Sequence, residues 1–214
     1  QLMLASPWKM HIIDNTSRGA DGVRLKDVNK DGLLDIATGW EEGGVIRTYL
    51  NPGHKKAKQP WPRAEVGQVK SPEDAVFTDL DGDGAIDVVS SCEGSTRTLF
   101  FHWAPSSGSK VKAAKWQTQA VPVTAGKQSW MFALPMQIDG GGNDLVLGSK
   151  GGGATIGWLQ SPKNPRDIWA WEYHPLYEAG WIMSLIAHDV DNDGDQDILA
   201  SRQLGMIWRN TIRH

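Results

Sequence analysis

The sequence has few of the features that hold a small protein together covalently or anchor it in a membrane. Its one cysteine, Cys92, has no second cysteine to pair with, and we expect it to be a small buried apolar residue. No apolar run approaches the roughly 18–20 residues that a membrane-spanning helix needs. Residues 1–6 lack the pattern of an intact signal peptide, which fits either a cytosolic protein or a chain whose signal has been removed.

Helical periodicity and clustered positive charge are missing as well. No stretch keeps the 3.6-residue period of an amphipathic helix, so we expect very little helix. The 22 Lys and Arg residues are scattered along the chain and the net charge is −3, which argues against a nucleic-acid partner. The chain is instead rich in glycine (24) and tryptophan (11), which favours a turn-rich all-β protein.

An acidic segment of nine residues recurs along the chain. Residues 27–35, 79–87 and 189–197 align without gaps, and residues 137–144 form a degenerate copy that is one residue shorter. Short apolar, β-prone segments precede and follow each copy. In three of the units a further β-prone segment begins just after a tryptophan. Self-similarity at a spacing of about 50 residues is typical of a repeat architecture.

Four short strands in each unit predict the blades of a β-propeller. We therefore expect one all-β propeller domain over residues 1–214, with four four-stranded blades of about 50 residues each. The blade units fall at approximately 20–70, 71–125, 126–178 and 179–214. The last unit has only three strands, and the N-terminal strand at residues 6–14 matches the strand after Trp61. We expect that strand to close the propeller, either within one chain or between the chains of an oligomer.

The acidic segments have the composition of calcium loops. Oxygen-bearing side chains stand at positions 1, 3, 5 and 9, glycine at position 6 permits a sharp turn, and position 7 offers its backbone carbonyl. Without a cation, three or four carboxylates so close together repel one another. The flanks are β-prone and position 12 lacks the glutamate of an EF-hand, so we predict hairpin loops that hold about three structural Ca²⁺ ions. The predicted ligands are Asp27, Asn29, Asp31, Leu33, Asp35, Asp79, Asp81, Asp83, Ala85, Asp87, Asp189, Asp191, Asp193, Asp195 and Asp197.

The degenerate copy differs from the other three in its ligands. Gln137 and several glycines replace the acidic side chains there, so we expect no ion at residues 137–144. The complete loops fill most readily where calcium is at about millimolar levels, as it is outside cells. This favours an extracellular or periplasmic protein.

These loops resemble a known family. The pattern D-x-[DN]-x-D-G-x-x-D at Asp27, Asp79 and Asp189 resembles the FG-GAP/VCBS repeats of integrin-α-like propellers, and residues 40–53 resemble secreted bacterial proteins of that class. Relatives in the family include lectins, adhesion modules and propeller domains of carbohydrate-active enzymes. Such propellers usually have seven blades, so three interpretations are open: a four-blade ring, a truncation, or half of a ring shared by two chains.

The resemblance also implies where a ligand would bind. In this blade topology the calcium loops join the first and second strands on one face, and the other loops gather around the channel on the opposite face. There the aligned loops after the second strands carry acids in two blades and bases in two, with tryptophans nearby. The ligand-binding candidates are Trp40, Glu41, Glu93, Lys150, Arg202, Asp21, Asp74, Trp130 and Trp181.

Three functions are compatible with this surface. The preferred one is a recognition module that binds carbohydrate, such as a cell-surface glycan, or another polar ligand. The alternative is a carbohydrate-active lyase or hydrolase at the channel, with Glu41 or Glu93 beside Lys150 or Arg202 as an acid and base set, although no catalytic residue can be assigned. The third is a structural or adhesive module that pairs as a homodimer through an unclosed blade.

Overall fold

A computed structural model describes residues 9–105, 116–203 and 205–209. Nearly all regular structure in these residues is antiparallel β-strand. The strands are β1 Ala20–Lys26, β2 Asp35–Trp40, β3 Val45–Tyr49, β4 Arg63–Gln68, β5 Pro72–Thr78, β6 Asp87–Cys92, β7 Leu99–Trp103, β8 Gln117–Ala120, β9 Ser129–Met136, β10 Asp144–Lys150, β11 Thr155–Gln160, β12 Glu172–Glu178, β13 Ile182–His188, β14 Asp197–Arg202 and β15 Gly205–Arg209.

The strands form four separate sheets, each with its strands in chain order. Strands β1 to β4 make the first blade, β5 to β8 the second, β9 to β12 the third, and β13 to β15 the described part of the fourth. The first strands of successive blades contact one another, so the blades follow each other around a common centre. This confirms the predicted all-β fold and its four-blade β-propeller arrangement.

Helix is almost absent, as the missing 3.6-residue period predicts. Within the described residues, a single turn of 3₁₀ helix at Pro122–Thr124 is the helical element. A helical membrane crossing therefore has no candidate in that part of the chain.

Large apolar side chains fill the spaces between neighbouring blades. Strands β6 and β7 are almost wholly buried, because one face packs on the first blade and the other on the third. Between the second and third blades, Phe101, Trp103, Trp130 and Trp171 are all nearly inaccessible to solvent. The rings of Phe101 and Trp171 meet edge to face with centroids 4.9 Å apart, a favourable aromatic geometry. These contacts fix how neighbouring blades sit on each other.

The N-terminal segment packs on the first blade. Residues 6–8 of the predicted closing strand lie outside the described residues, and residues 9–14 are not in a strand. The carbonyl of Ile13 accepts a hydrogen bond from the Trp61 backbone N–H at 3.2 Å. The Asp14 carboxylate accepts hydrogen bonds from Arg47 and Tyr49, both at 2.9 Å. This differs from the expected pairing with the last blade within one chain; closure between chains stays a prediction.

Candidate functional site

The three complete acidic loops share one backbone geometry. In each loop the glycine at position 6 has a positive φ, of 84° at Gly32, 83° at Gly84 and 96° at Gly194. Its backbone N–H donates to the carboxylate at position 1, which folds the loop around its own centre. The donor–acceptor distances are 2.8 Å for Gly32 and Asp27, 3.0 Å for Gly84 and Asp79, and 3.1 Å for Gly194 and Asp189. A side chain at position 6 would strain this left-handed backbone, which explains the glycine.

The aspartate at position 9 ties each loop to its blade. The four equivalent residues are Asp35, Asp87, Asp144 and Asp197, and each is buried. One oxygen of each carboxylate accepts the backbone N–H that opens the loop, at 2.9–3.0 Å. In the first three blades the other oxygen accepts a backbone N–H just after the third strand, from Asn51, Ala104 and Ser161. Position 9 therefore has a structural role that the degenerate loop keeps.

Two of the complete loops contain clusters that could hold a metal ion. Carboxylate oxygens of Asp79, Asp81 and Asp87 lie within 4.8 Å of one another, as do those of Asp189, Asp191 and Asp197. The Oδ1 atom of Asp79 is buried and has no hydrogen-bond partner among the described residues. Burial, with the Asp81 carboxylate nearby, raises the pKa of Asp87 to about 7. An unsatisfied oxygen among crowded carboxylates fits a hard cation, and Ca²⁺ prefers such oxygen ligands.

The first loop has asparagine at position 3 and the same fold. The Asn29 amide donates to Asp31 at 3.0 Å, and the Asn29 oxygen accepts the backbone N–H of Asp31 at the same distance. The backbone N–H of Leu33 donates to the Asp31 carboxylate at 2.9 Å. The backbone N–H groups at positions 5 and 7 make the same hydrogen bonds in the other two complete loops, so the first loop shares their turn geometry.

The second loop and the degenerate loop are joined by side chains of the third blade. Asn143 donates a hydrogen bond to the backbone carbonyl of Asp79, and Arg166 forms an ion pair with Asp81. The Arg166 guanidinium also lies 4.2 Å from the centroid of the Trp103 ring. Within the degenerate loop, Gln160 donates to the Asp139 carboxylate at 2.6 Å. Protein hydrogen bonds therefore engage the carboxylate that stands at position 3 of this loop.

A second group of polar residues lies at the opposite ends of the blades. It consists of Glu41, Glu73, Glu93, Lys150 and Trp181, and we call it the polar cluster. Carboxylate oxygens of the three glutamates lie within 4.8 Å of one another. The Lys150 ammonium lies 3.2 Å from Glu73, forms an ion pair with Glu93, and lies 5.4 Å from the centroid of the Trp181 ring. Residues of the first three blades therefore meet at one place with Trp181, which directly precedes the first strand of the fourth blade.

The glutamates of the polar cluster differ in their ionisation. Burial raises the pKa of Glu73 to about 7, and its hydrogen bond with Glu93 adds to this. Burial also opposes ionisation of Glu93, but hydrogen bonds from Glu73 and Lys150 outweigh that effect and lower its pKa. Lys150 loses solvation by burial, yet its bonds to both glutamates raise its pKa. These shifts favour the protonated form of Glu73 as the pH falls below about 7, beside a charged Glu93 and a charged Lys150.

The structure brings four of the ligand-binding candidates together: Glu41, Glu93, Lys150 and Trp181. Two other tryptophans named as candidates are buried in the core instead. The Trp40 indole donates to the Tyr49 hydroxyl at 3.0 Å, and the Trp130 indole donates to the Thr124 carbonyl at 3.1 Å. Both indoles sit in the apolar packing of their blades, where a ligand has no access.

The remaining three candidates, Asp21, Asp74 and Arg202, make contacts with other residues. Asp74 is buried and receives two short hydrogen bonds from Arg24, at 2.8 and 2.9 Å. Asp21 is exposed and accepts the backbone N–H of Gly22. The guanidinium of Arg202 lies 6.0 Å from the centroid of the Tyr177 ring.

Sequence reasoning did not select Glu73, which is the most strongly buried member of the polar cluster. Glu73 lies near the start of β5, and its contact with Lys150 crosses from the second blade to the third. The only available signal was the adjacent acidic pair Glu73 and Asp74 at the start of an otherwise apolar strand, since a buried acid needs a partner.

The comparison with protein families gives one match. Residues 27–90 match the family model of the FG-GAP-like repeat. The matched segment begins at the first loop and ends in β6, so it contains two of the three complete acidic loops. A comparison with curated proteins finds no match for the chain.

Proposed function

We propose that this chain, which combines an FG-GAP-like repeat with a four-blade propeller arrangement, is a calcium-stabilised recognition module. Calcium in the three complete loops would stabilise the ends of the blades, because a ligand that binds only the folded state raises its stability. The buried, unpartnered Oδ1 atom of Asp79 supports this role for a cation. Since calcium is plentiful outside cells, the proposal places the protein in the extracellular space or the periplasm.

The polar cluster is the proposed ligand site, and a carbohydrate is the proposed ligand. The single observation that carries this proposal is the half-exposed Trp181 ring beside three carboxylates and an ammonium group. An indole face packs on the apolar face of a sugar ring, while carboxylates and ammonium groups bind hydroxyls. No other described tryptophan combines solvent exposure with a contact to this cluster.

A glycan array in calcium buffer, followed by titration calorimetry with the glycans that bind, tests this function. We expect Trp181→Ala to weaken binding at least about tenfold, since losing one buried aromatic contact typically costs over 1 kcal/mol. The control is Trp169→Ala, because Trp169 is 79% exposed and lies in the loop between β11 and β12. A blank array, or equal losses in both variants, would refute the carbohydrate proposal.

Catalysis on a carbohydrate is the second candidate. A protonated carboxyl at Glu73 beside an ionised Glu93 is the pairing from which acid and base roles are assigned. Retaining glycosidases keep their two carboxyl groups about 5–5.5 Å apart, with the substrate between them. Here Glu73 and Glu93 are hydrogen-bonded to each other, which leaves no room for a sugar between them. The arrangement therefore favours binding over hydrolysis.

Turnover assays separate the two candidates. Polysaccharides that bind in calorimetry are incubated with the wild-type protein and with Glu93→Gln, and new reducing ends or unsaturated products are measured. Binding without products in either sample supports the recognition module. Products that disappear in Glu93→Gln would establish the enzyme instead.

A further inference from the structure

Each interior blade of this propeller has two packing faces. Because successive side chains of a strand point to opposite sides, alternate residues of β5 serve the two neighbouring blades. Ala75 and Phe77 pack on the first blade, whereas Val76 packs on the third. We call the face that meets the preceding blade the incoming face, and the face that meets the following blade the outgoing face.

The incoming face of the first blade is uncovered. Val23 and Leu25 precede Asp27 by the same spacing as Ala75 and Phe77 precede Asp79, so the two pairs occupy equivalent positions. Ala75 and Phe77 are buried, but Val23 is 62% exposed and Leu25 is 57% exposed. The first blade therefore carries the apolar side chains of a blade interface, and among the described residues no blade packs on them.

The outgoing face of the fourth blade is uncovered in the same way. The acidic loops and the strand register align the fourth blade with the second. The alignment shows which residues of the fourth blade are equivalent to the second-blade residues that pack on the third blade. Ile186, Val190, Met206 and Trp208 correspond to Val76, Leu80, Leu99 and Phe101, respectively. All four of these fourth-blade side chains are exposed, up to 74% for Met206.

The N-terminal segment shows how a preceding blade would lie on the first one. Alignment with the strand after Trp61 places Ile13 at the position of Val66. Val66 packs on the second blade from the outer strand of the first, and Ile13 packs on the first blade beside Tyr49 and Trp61. Ile13 therefore covers the outer part of the incoming face, in the way that the outer strand of a preceding blade would. The inner part of this face, around Val23 and Leu25, stays exposed.

We propose that the outgoing face of one copy of this chain packs on the incoming face of a second copy, so that two chains close one ring of eight blades. Closing a single chain on itself would disturb the tightly filled interfaces between its own blades, such as the one around Trp130 and Trp171. A second copy covers both faces without that cost. Two different faces on each chain form a closed ring when the rotation between copies allows it, and eight blades is within the usual range for propellers.

The mass in solution is the first test. In calcium buffer we expect light scattering to give about twice the 23.5 kDa of one chain, and Leu25→Asp and Ile186→Asp each to give a monomer. Trp169→Asp, at an exposed apolar residue outside both faces, should remain dimeric. Circular dichroism and the melting temperature of the monomeric variants establish that they are folded. A monomeric wild-type protein, or a dimer that persists in Leu25→Asp, would overturn the proposal.

Mixing the two folded variants tests which face meets which. Leu25→Asp keeps an intact outgoing face and Ile186→Asp keeps an intact incoming face, so the mixture should form a dimer through one remaining contact. Neither variant should do so alone. A mixture that stays monomeric while the wild type is a dimer would rule out the pairing of outgoing with incoming faces.

Discussion

The two ends of the blades follow different rules. At the loop end, the aspartate at position 9 makes the same backbone hydrogen bond in every blade, whether or not the loop has kept its other acids. At the opposite end, equivalent positions carry different residues: Glu41, Glu93, Lys150 and Gln203. The strand register places Arg202 one residue earlier, at the position of Cys92, which corrects the alignment predicted from the sequence. A structural requirement that all blades share leads to the same residue in each blade. Differences between blades produce one asymmetric polar cluster, which is what a specific ligand site requires.

The degenerate loop separates two roles within the loop end itself. It has lost the acids at positions 1 and 5, and its position-3 carboxylate, Asp139, accepts a hydrogen bond from Gln160. Asp144 at position 9 nevertheless keeps both backbone partners, Ile138 and Ser161. The loop is further held by Gln160 and by the contact of Asn143 with the second loop. Position 9 therefore has a role in the fold whether or not the loop binds a cation, and in the complete loops it also belongs to the proposed cation site.

The largest effect we expect is from removal of a position-9 aspartate. Asp144→Ala removes the carboxylate that accepts the buried Ser161 backbone N–H and the partly buried Ile138 backbone N–H, and an unpaired buried donor costs about 1–3 kcal/mol. We expect the free energy of unfolding to fall by about 2–4 kcal/mol in urea titrations, equally in calcium and in EDTA. Asp21→Ala, an exposed aspartate at the opposite end, is the control and should change little. A calcium-dependent loss in Asp144→Ala would contradict the separation of roles.

Loss of calcium from one of the three complete loops should have the next largest effect. A ligand at about 100 times its dissociation constant stabilises the fold by about 2.7 kcal/mol per site, which is about 5–10 °C in melting temperature for a chain of this size. We expect EDTA to lower the melting temperature, and Asp79→Asn to reduce the size of that drop. Asp139→Asn in the degenerate loop should leave the drop unchanged. A melting temperature that does not respond to EDTA would refute structural calcium altogether.

At the opposite end, the stability should depend on pH through Glu73. Its pKa is raised to about 7 in the folded protein from an ordinary 4.5, so the folded state favours the protonated form. The contribution of Glu73 to stability is therefore fully present below about pH 4.5 and is lost as the pH rises through about 7, by about 1–2 kcal/mol after allowance for solvent screening. In saturating calcium, urea titrations at pH 5 and pH 8 should differ less for Glu73→Gln than for the wild type.

The exposed Glu172 provides the matched control for that measurement. Glu172→Gln should keep the pH dependence of the wild type. If both variants keep it, Glu73 does not carry the proton, and the polar cluster is fully ionised at neutral pH.

The sequence was sufficient for the fold because the repeat is local. Acidic loops that align without gaps fix the positions of the flanking strands, and strand alternation needs no knowledge of distant residues. The polar cluster was only partly predictable. Glu41, Glu93 and Lys150 could be aligned as loop residues, but Trp130 lies within β9 and points into the core. The burial of Glu73 depends on contacts between blades, which no local pattern contains.

The smallest effect we expect concerns Arg166, which forms an ion pair with the second complete loop. Its guanidinium pairs with Asp81, a predicted calcium ligand, and so competes with a cation for that carboxylate. Arg166→Gln should therefore tighten calcium binding in the second loop about two- to fivefold, in keeping with the modest strength of partly exposed ion pairs. Arg166→Lys keeps the charge and should change affinity less. Calorimetry in a background of Asp27→Asn and Asp189→Asn isolates this loop. Weaker binding in Arg166→Gln would mean that the arginine instead holds Asp81 in the position that the cation needs.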